Sequence, residues 1–365
     1  MGGTVLELFE VGPCKDAYQM GFLIGQRFAN QIRSRLGNDL ILQNQLRPFA
    51  QSSQSQPLIQ ALSSNNQKRF PRYWDELVGL AEGSGVAALD IILINFRKEI
   101  LPFLPKTELS NVPTVDDVSD DCSDVIVISD SMAIVAHNED ANIALIDRTY
   151  LIKGSLSNGL SFLAYTYAGE LPSCAFGVNS HGLAFTLNSV PPSENEIEAG
   201  GIGRNFISRD LLEATSIEDA LSKIRSSEVS VGHSYNLIEI GRRRIVNVET
   251  ASRNRVSIHE IGKTPYFHAN MYLHLQVPQL QDENSISRQR KAAVLPKNTT
   301  EEILAVLGDS EDPKYPIYMT GPTLYTLCTA VIDVDQQTLS IIQGNPHKRE
   351  VSHIFDLSSR DFKRL

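Results

Sequence analysis

The chain of 365 residues has a formal net charge of −10, with 42% hydrophobic and 21% charged residues. These values are ordinary for a soluble globular protein and exclude a disordered or fibrous chain. The acidic balance argues against a nucleic-acid partner, because the densest basic run is only Arg242-Arg243-Arg244. No window has the apolar length that a membrane span needs, so we predict no membrane association.

The four cysteines, Cys14, Cys122, Cys174 and Cys328, lie far apart in the sequence and lack the spacing of metal ligands. We therefore predict reduced thiols, no metal and a cytoplasmic location. The last three residues resemble a peroxisomal signal only loosely, because lysine stands where a small residue is usual, and the peroxisome is the weaker alternative.

The first third of the chain has helical patterns. Apolar residues at helical spacing predict an amphipathic helix over residues 15–36, and a less regular helix is predicted within residues 43–68. A third helix over residues 73–82 should end at Gly83-Ser84-Gly85, and Asp90 should cap a short helix that extends to Phe96.

Residues 105–121 are rich in acids, prolines and hydroxyl side chains, a composition that cannot bury enough surface to order itself. This segment predicts a linker. It divides the chain into a helical segment, residues 1–121, and a second segment, residues 122–365.

Strand patterns dominate the second segment. Residues 125–129 and 132–137 flank an Asp130-Ser131 turn and predict a hairpin. Further strands are predicted at residues 160–167, 173–178, 182–190, 235–240, 245–249, 324–334 and 338–343, and helices at 204–213, 216–224 and 299–307. This order favours an α+β fold of layered sheets with helices outside over a doubly wound sheet.

A set of motifs extends over most of the chain. They are the segment from Trp74 to Val86, then Cys122, His137-Asn138-Glu139-Asp140, residues 176–182 with Leu187-Asn188, and residues 329–346. In this order they resemble the acyl-coenzyme A:isopenicillin N acyltransferase family. The resemblance implies an N-terminal nucleophile hydrolase with a four-layer αββα sandwich, made as a precursor that cleaves itself before a cysteine.

The resemblance identifies Cys122 as that cysteine. Cleavage after Asp121 would give Cys122 a free amine, which can accept the proton of its own thiol directly or through one water. By analogy with the family, the same thiol first attacks the carbonyl of Asp121. The alternative is that Cys122 is a small buried apolar residue at the start of a strand.

The resemblance also assigns other residues. Asp140 matches the acid beside the nucleophile, and Asn236 matches an asparagine whose amide faces the developing oxyanion, a role that lowers the barrier by a few kcal/mol. Asn188 is the second candidate near the oxyanion. His137, in the motif that ends at Asp140, is grouped with Asn188 as an oxyanion or substrate-binding residue.

Arg288 matches a family arginine close to the nucleophile, with Arg290 as the alternative. The family commonly has glycine before the cleaved bond, so Asp121 leaves the efficiency of cleavage open. The segment His268-Ala269-Asn270 is also family-like but continues with Met271, and no catalytic role is assigned to it.

The predicted function is a self-processing cysteine amidohydrolase or acyltransferase for small N-acyl amines or N-acyl amino acids. The product of cleavage would be a heterodimer of the chain's own two fragments. No cofactor is expected, although acyl-coenzyme A is a conceivable co-substrate. The acyl group, the amine, the balance of hydrolysis and transfer, and any larger assembly stay open.

Two other functions compete with this prediction. A processing-deficient, catalytically silent scaffold of the same fold has no need for Cys122, Asp140, Asn236 and Arg288 together. A papain-like protease is disfavoured because no cysteine has the surrounding residues of that class.

Overall fold

A computed structural model of the protein describes residues 5–105, 121–348 and 350–365. The predicted linker lies almost entirely outside the described residues, and only its two ends are included. Among the described residues, no helix is long and apolar enough to cross a membrane.

Eleven helices are described outside short 3-10 and π turns. They are α1 (Ala17–Arg27), α2 (Ala29–Asn38), α3 (Arg47–Gln51), α4 (Gln56–Arg69), α5 (Pro71–Ser84), α6 (Ala88–Asn95), α7 (Arg97–Ile100), α8 (Arg204–Leu211), α9 (Ile217–Arg225), α10 (Glu283–Val294) and α11 (Thr300–Leu307).

Fourteen strands are described. They are β1 (Glu7–Cys14), β2 (Asp121–Ile128), β3 (Ala133–Asn142), β4 (Thr149–Leu156), β5 (Ser161–Tyr167), β6 (Phe176–Asn179), β7 (Leu183–Ser189), β8 (His233–Glu239), β9 (Arg244–Ala251), β10 (Arg255–Glu260), β11 (Tyr266–His268), β12 (Leu324–Asp333), β13 (Thr338–Ile342) and β14 (Val351–Asp356).

The strands form two sheets. The eight-stranded sheet has the order β1-β4-β5-β6-β7-β8-β9-β10, and the six-stranded sheet has the order β11-β2-β3-β12-β13-β14. β1 comes from the first segment and pairs in parallel with β4, so the segment before residue 122 contributes a strand as well as helices.

Three large apolar clusters separate four layers of helices and sheets. One lies between the first helices, α8 and α9 and one face of the eight-stranded sheet. The second fills the space between the two sheets, and the third lies between the six-stranded sheet and helices α10 and α11. The predicted four-layer αββα sandwich is therefore confirmed.

Most predicted elements are present, with shifted ends. The helix predicted over residues 15–36 is broken at Phe28 into α1 and α2. The prediction that Asp90 caps a helix was wrong: Ala87 occupies the cap of α6, and Asp90 lies in its first turn as an ion-pair partner of Arg47. Ser216 and Thr299 cap α9 and α11 through the amides of Asp219 and Glu302, as their spacing predicts.

The family-like segment from Trp74 to Val86 forms α5, which packs against α1 at unusually close range. A Cβ atom on Gly79 would lie 2.1 Å from the backbone oxygen of Tyr18, and one on Gly83 would lie 2.0 Å from that of Phe22. Only glycine permits this approach, so this part of the motif serves helix packing. α5 ends at Gly85 in the left-handed conformation, as predicted.

Candidate active site

Strand β2 presents Cys122 to the space between the two sheets. Side chains alternate along a strand, and Ile126, two pairs away on the same face, belongs to the apolar cluster between the sheets. Cys122 is 3% exposed and lies across the ladder from Glu139 of β3. The thiol is buried but contacts polar groups, so it is not a purely apolar packing residue.

The carboxylate of Glu139 contacts the thiol. Its Oε2 atom lies 3.4 Å from the Cys122 Sγ and also 3.0 Å from the Nε2 of His137. The Tyr167 hydroxyl donates to its other oxygen, Oε1. One carboxylate therefore joins the thiol, an imidazole and a phenol inside the protein.

His137 lies between two carboxylates. Its Nδ1 is 3.1 Å from the Oδ1 of Asp124, while its Nε2 faces Glu139. Burial favours the neutral ring, but the charges and hydrogen bonds of Asp124 and Glu139 outweigh burial and raise the pKa of His137 to about 10. An imidazolium at neutral pH balances part of the buried negative charge.

The polar network continues across the space between the sheets. The Thr186 hydroxyl donates to Asp124 at 2.7 Å, and the Asn236 amide donates to Thr186 at 3.0 Å. Asn247 donates in turn to the Asn236 carbonyl at 2.9 Å. Asn236 therefore faces the same space as Cys122, and in this structure its amide binds Thr186, so its predicted role at the oxyanion stays a prediction.

The backbone of Cys122 is held on two sides. Its N–H donates to the Oδ1 of Asn270 at 2.8 Å, and its carbonyl accepts a 2.7 Å hydrogen bond from Arg288. Arg288 also donates to Asn270 at 2.8 Å and lies 3.8 Å from a carboxylate oxygen of Asp121. Arg288, fully buried on α10, thus contacts the backbone at the predicted cleavage site rather than the thiol.

Asp140 pairs with Asp121 across the ladder and lies on the opposite face of β3 from Glu139. The Thr326 hydroxyl donates to its Oδ1, and among the described residues its buried Oδ2 has no partner. Burial, only partly offset by Arg288 and Thr326, raises the pKa of Asp140 to about 8. Asp140 is therefore next to the predicted scissile residue but not next to the thiol.

Asn188 is fully buried on β7, on the same face as Thr186. Neither its amide nitrogen nor its carbonyl oxygen has a hydrogen-bond partner among the described residues. An unpaired buried amide is costly and needs an explanation. The role predicted for Asn188, an amide donor to a transient oxyanion, would provide one and stays a prediction.

One small cavity adjoins the thiol, and a larger cavity shares two lining residues with it. The small one is lined by Cys122 and Glu139 together with Tyr167, Ser189 and His233. Tyr167 and Arg204 line both this cavity and a larger one of about 250 Å³, and most residues around the larger cavity have polar or charged side chains. Its other lining residues include Arg35, Asn38, Asn95, Arg97, Lys98 and Glu170. The shared residues connect the thiol to a space that fits a small polar molecule.

Sequence reasoning missed Glu139 and Asn270, although strand register contains a signal for both. Counting outward from the Asp130-Ser131 turn pairs Cys122 with Glu139, which the ladder confirms. β11 pairs His268 with Asp124, so the next residue on that face, Asn270, lies beside Cys122. Asp140 and Arg288 are near the backbone of this site, whereas His137, Asn188 and Asn236 face the space between the sheets.

Comparisons with known proteins agree with this architecture. A family model described as acyl-coenzyme A:6-aminopenicillanic acid acyl-transferase matches residues 127–348, just after Cys122. The chain is 24% identical to the beta-alanyl-dopamine/carcinine hydrolase of Drosophila melanogaster over 362 residues, which cover 91% of this chain and 92% of that protein.

Two solved structures are more distant. An N-acylethanolamine-hydrolyzing acid amidase ortholog of Caenorhabditis elegans has a TM-score of 0.40 and 12% identity, covering 58% of this chain and 93% of its own. A mutant of the conjugated bile acid hydrolase from Clostridium perfringens has a TM-score of 0.43 and 11% identity, covering 67% and 96%. Because the family model matches more than half of the chain, the protein belongs to the acyl-coenzyme A:6-aminopenicillanic acid acyl-transferase family.

Proposed function

We propose that the protein is a self-processing cysteine amidohydrolase or acyltransferase that acts on small N-acyl amines or N-acyl amino acids. The observation that carries this proposal is the 3.4 Å distance between the Cys122 Sγ and the Glu139 carboxylate, beside a cavity. The names of the family and of the Drosophila relative, an acyl-transferase and a hydrolase, support the same class of reaction.

Processing requires a base other than the amine, because the amine of Cys122 is still part of a peptide bond in the precursor. Glu139 is in position to accept the thiol proton. The sulfur then attacks the carbonyl carbon of Asp121, the C–N bond to Cys122 breaks, and the nitrogen takes up a proton. Water hydrolyses the resulting thioester, which leaves a carboxylate on Asp121 and a free thiol and amine on Cys122.

In the mature enzyme the free amine takes over as the base for the thiol. The sulfur attacks the acyl carbon of the substrate and forms a thioester. The amine of the substrate leaves with the proton that the Cys122 amine had taken from the thiol. Asn188, whose buried amide has no partner among the described residues, is the main candidate to bind the oxyanion. Asn270 accepts a hydrogen bond from the Cys122 N–H, and Arg288 donates to the Cys122 carbonyl, which supports a role for both at the new amine. Asp140, across the ladder from Asp121, keeps the role beside the amine that the resemblance implies.

The two fragments should stay together as a heterodimer after cleavage. β1 is a strand of the eight-stranded sheet, and the buried pair of Arg35 and Glu170 joins the two segments at 2.5 Å. A second buried pair links Glu76 to Arg209 at 3.0 Å. Each of these contacts has one partner before residue 122 and one after it.

Substrate assays should begin with the two amides in the name of the Drosophila relative, beta-alanyl-dopamine and carcinine. Most residues that line the larger cavity carry polar or charged side chains, which can bind the polar groups of such amides. The proposed chemistry uses the chain's own residues and needs no cofactor. Water resolves the acyl-enzyme in hydrolysis and an amine resolves it in transfer, so assays should include acyl-coenzyme A as an alternative acyl donor.

Intact-mass measurement of the purified protein tests the proposal most directly. We expect fragments 1–121 and 122–365 in the wild type and one uncleaved chain in Cys122→Ala. Cys14→Ala is the matched control, since Cys14 is also a buried free cysteine but lies on β1, outside both cavities. A Cys122→Ala protein that still cleaves and still hydrolyses amides would overturn the proposal, whereas an inert, uncleaved wild type would favour the scaffold alternative.

A further inference from the structure

Three buried side chains around the Cys122 thiol direct different metal-binding atoms toward one point. The Sγ of Cys122, one ring nitrogen of His137 and one carboxylate oxygen of Glu139 all lie within 4.8 Å of one another. All three residues are buried. Because they belong to two paired strands, their sequence spacing does not match a metal motif.

The distances fit a tetrahedral ion. The Glu139 Oε2 lies 3.0 Å from the His137 Nε2 and 3.4 Å from the Cys122 Sγ. Tetrahedral zinc bonded to nitrogen, oxygen and sulfur separates these pairs by ~3.4 Å and ~3.6 Å, from its usual bond lengths. For these two pairs, the side chains need to move apart by only a few tenths of an ångström.

The outer contacts already orient these ligands. The Asp124 carboxylate contacts the Nδ1 of His137, which leaves the Nε2 as the ligand atom, and the Tyr167 hydroxyl holds the Oε1 of Glu139, which leaves the Oε2. A carboxylate behind a histidine and a hydrogen bond behind a carboxylate are the usual supports of protein metal ligands. Here both are present before any ion binds.

The ligand types select zinc. A thiolate with an imidazole suits a borderline-soft ion, while Mg²⁺ and Ca²⁺ require many oxygen ligands and find one side chain here. Three protein ligands leave a fourth position, and the small cavity beside Cys122 supplies room for a water there. The nearby carboxylates of Asp124 and Glu139 favour a divalent cation in this buried position.

We propose that Cys122, His137 and Glu139 form a zinc-binding site that reversibly blocks the nucleophile. On binding, the S–H bond of Cys122 and the N–H bond at the Nε2 of His137 break, the two protons leave to solvent, and Zn–S and Zn–N bonds form. Glu139 provides the third bond, Zn–O. The sulfur bound to zinc is then unable to attack a carbonyl carbon. The regulatory half of this inference rests on the proposed function, but zinc binding itself does not.

Calorimetric titration of the chelator-treated protein with zinc chloride tests the site. We expect one ion per chain in the wild type, affinity reduced at least 100-fold in Cys122→Ser, and unchanged affinity in Cys14→Ala, because Cys14 lies on β1 outside the small cavity beside Cys122. Tyr167→Phe removes only a supporting hydroxyl and should weaken binding about 10- to 100-fold. Co²⁺ should give a thiolate-to-metal absorption band in the wild type that Cys122→Ser lacks, provided thermal melting shows both proteins folded.

The outcomes separate this inference from the proposed function. No stoichiometric binding by the wild type, or equal binding by Cys122→Ser, would overturn the zinc site even if amide hydrolysis is found. Stoichiometric binding that depends on Cys122, in a chain that neither cleaves itself nor hydrolyses amides, would support the site and overturn the proposed function. Where both hold, zinc should suppress hydrolysis and a chelator should restore it.

Discussion

Two buried charge clusters differ in how completely their polar atoms are paired. In the first, Arg209 lies between Glu76 and Glu213, at 3.0 and 3.2 Å, with its guanidinium 4.8 Å from the ring centre of Tyr73. No polar side-chain atom of Arg209 or Glu76 is among the unpaired buried atoms of the described residues. In the second, around Cys122, one oxygen of Asp124 and both polar atoms of Asn188 are unpaired.

The difference separates a stabilising cluster from a reactive one. A fully paired ion cluster links α5 to α8 and gains nothing from a further partner. Each unpaired buried polar atom costs about 1–3 kcal/mol, so such atoms persist where a function requires them. We therefore expect substitutions in the Arg209 cluster to change stability, and substitutions around Cys122 to change rates.

The largest contrast should come from two glutamates. Glu139→Gln removes the proposed base for the thiol while keeping the shape of the side chain, and should slow self-cleavage about 10²- to 10⁴-fold. Glu76→Gln is the matched control, because Glu76 is equally buried. It leaves Arg209 undercompensated and should lower the free energy of unfolding by about 3–5 kcal/mol.

Time courses of cleavage by intact mass, combined with denaturant unfolding, measure both effects. Cleavage rates are compared per folded molecule, so that the instability of Glu76→Gln does not imitate a slow reaction. If Glu139→Gln processes at the wild-type rate, the thiol is activated by another group and the proposed role of Glu139 is wrong.

The two clusters also show what the sequence can predict. Cys122, the strand pattern and the helix caps Ser216 and Thr299 are local features, and the sequence predicts each of them. The Glu76–Arg209 pair spans 133 residues, so its partners meet only in the folded layers. Glu139 is intermediate: it is two positions from His137 in sequence, but its relation to the thiol needs the register of β2 and β3.

Irregular burial explains a strand that sequence patterns miss. Only Val11 and Cys14 of β1 are buried, so this edge strand lacks the alternation that marks a half-buried strand. Its position beside β4 is set by tertiary contacts. The roles of Asp140, Asn188, Asn236 and Arg288 stay predictions, since their positions near Cys122 are compatible with them but do not measure catalysis.

A smaller contrast is expected between two asparagines. Asn188 has no hydrogen-bond partner among the described residues, whereas Asn66, equally buried and outside both cavities, makes three. Asn188→Ala should reduce amide hydrolysis about 10²- to 10³-fold, because an oxyanion donor is lost. Its unfolding free energy should change by less than about 1 kcal/mol, since no hydrogen bond is broken.

Asn66→Ala should behave in the opposite way. It leaves several buried partners unpaired and should destabilise the protein by at least about 2 kcal/mol. Activity per folded molecule should stay close to that of the wild type. Steady-state kinetics and denaturant unfolding of both variants provide the comparison, and an active Asn188→Ala enzyme would remove Asn188 from the oxyanion site.

The smallest effect is expected at Glu249, a buried glutamate between the sheets. It tests again whether a fully paired buried group affects stability and not rate. Glu249 is fully buried like Glu139, but its carboxylate accepts hydrogen bonds from the backbone amides of Leu273, His274 and Leu275 and contacts His268 at 3.3 Å. Burial favours the neutral acid, but His268 and these amides outweigh burial and lower the pKa of Glu249. This carboxylate is fully paired and should therefore act on stability.

A lowered pKa fixes the direction of the pH dependence. In the unfolded chain the pKa of a glutamate is about 4.3. The stabilisation by ionised Glu249 is therefore present above that pH and is lost as the pH falls through the lower pKa of the folded state. Glu249→Gln should destabilise the protein by about 1 kcal/mol at pH 7, the surplus of charged over neutral hydrogen bonds. The difference from the wild type in thermal or denaturant unfolding should shrink below pH 4. A difference that grows on acidification would contradict the assigned ionisation, and a large loss of activity at unchanged stability would place Glu249 with the reactive cluster instead.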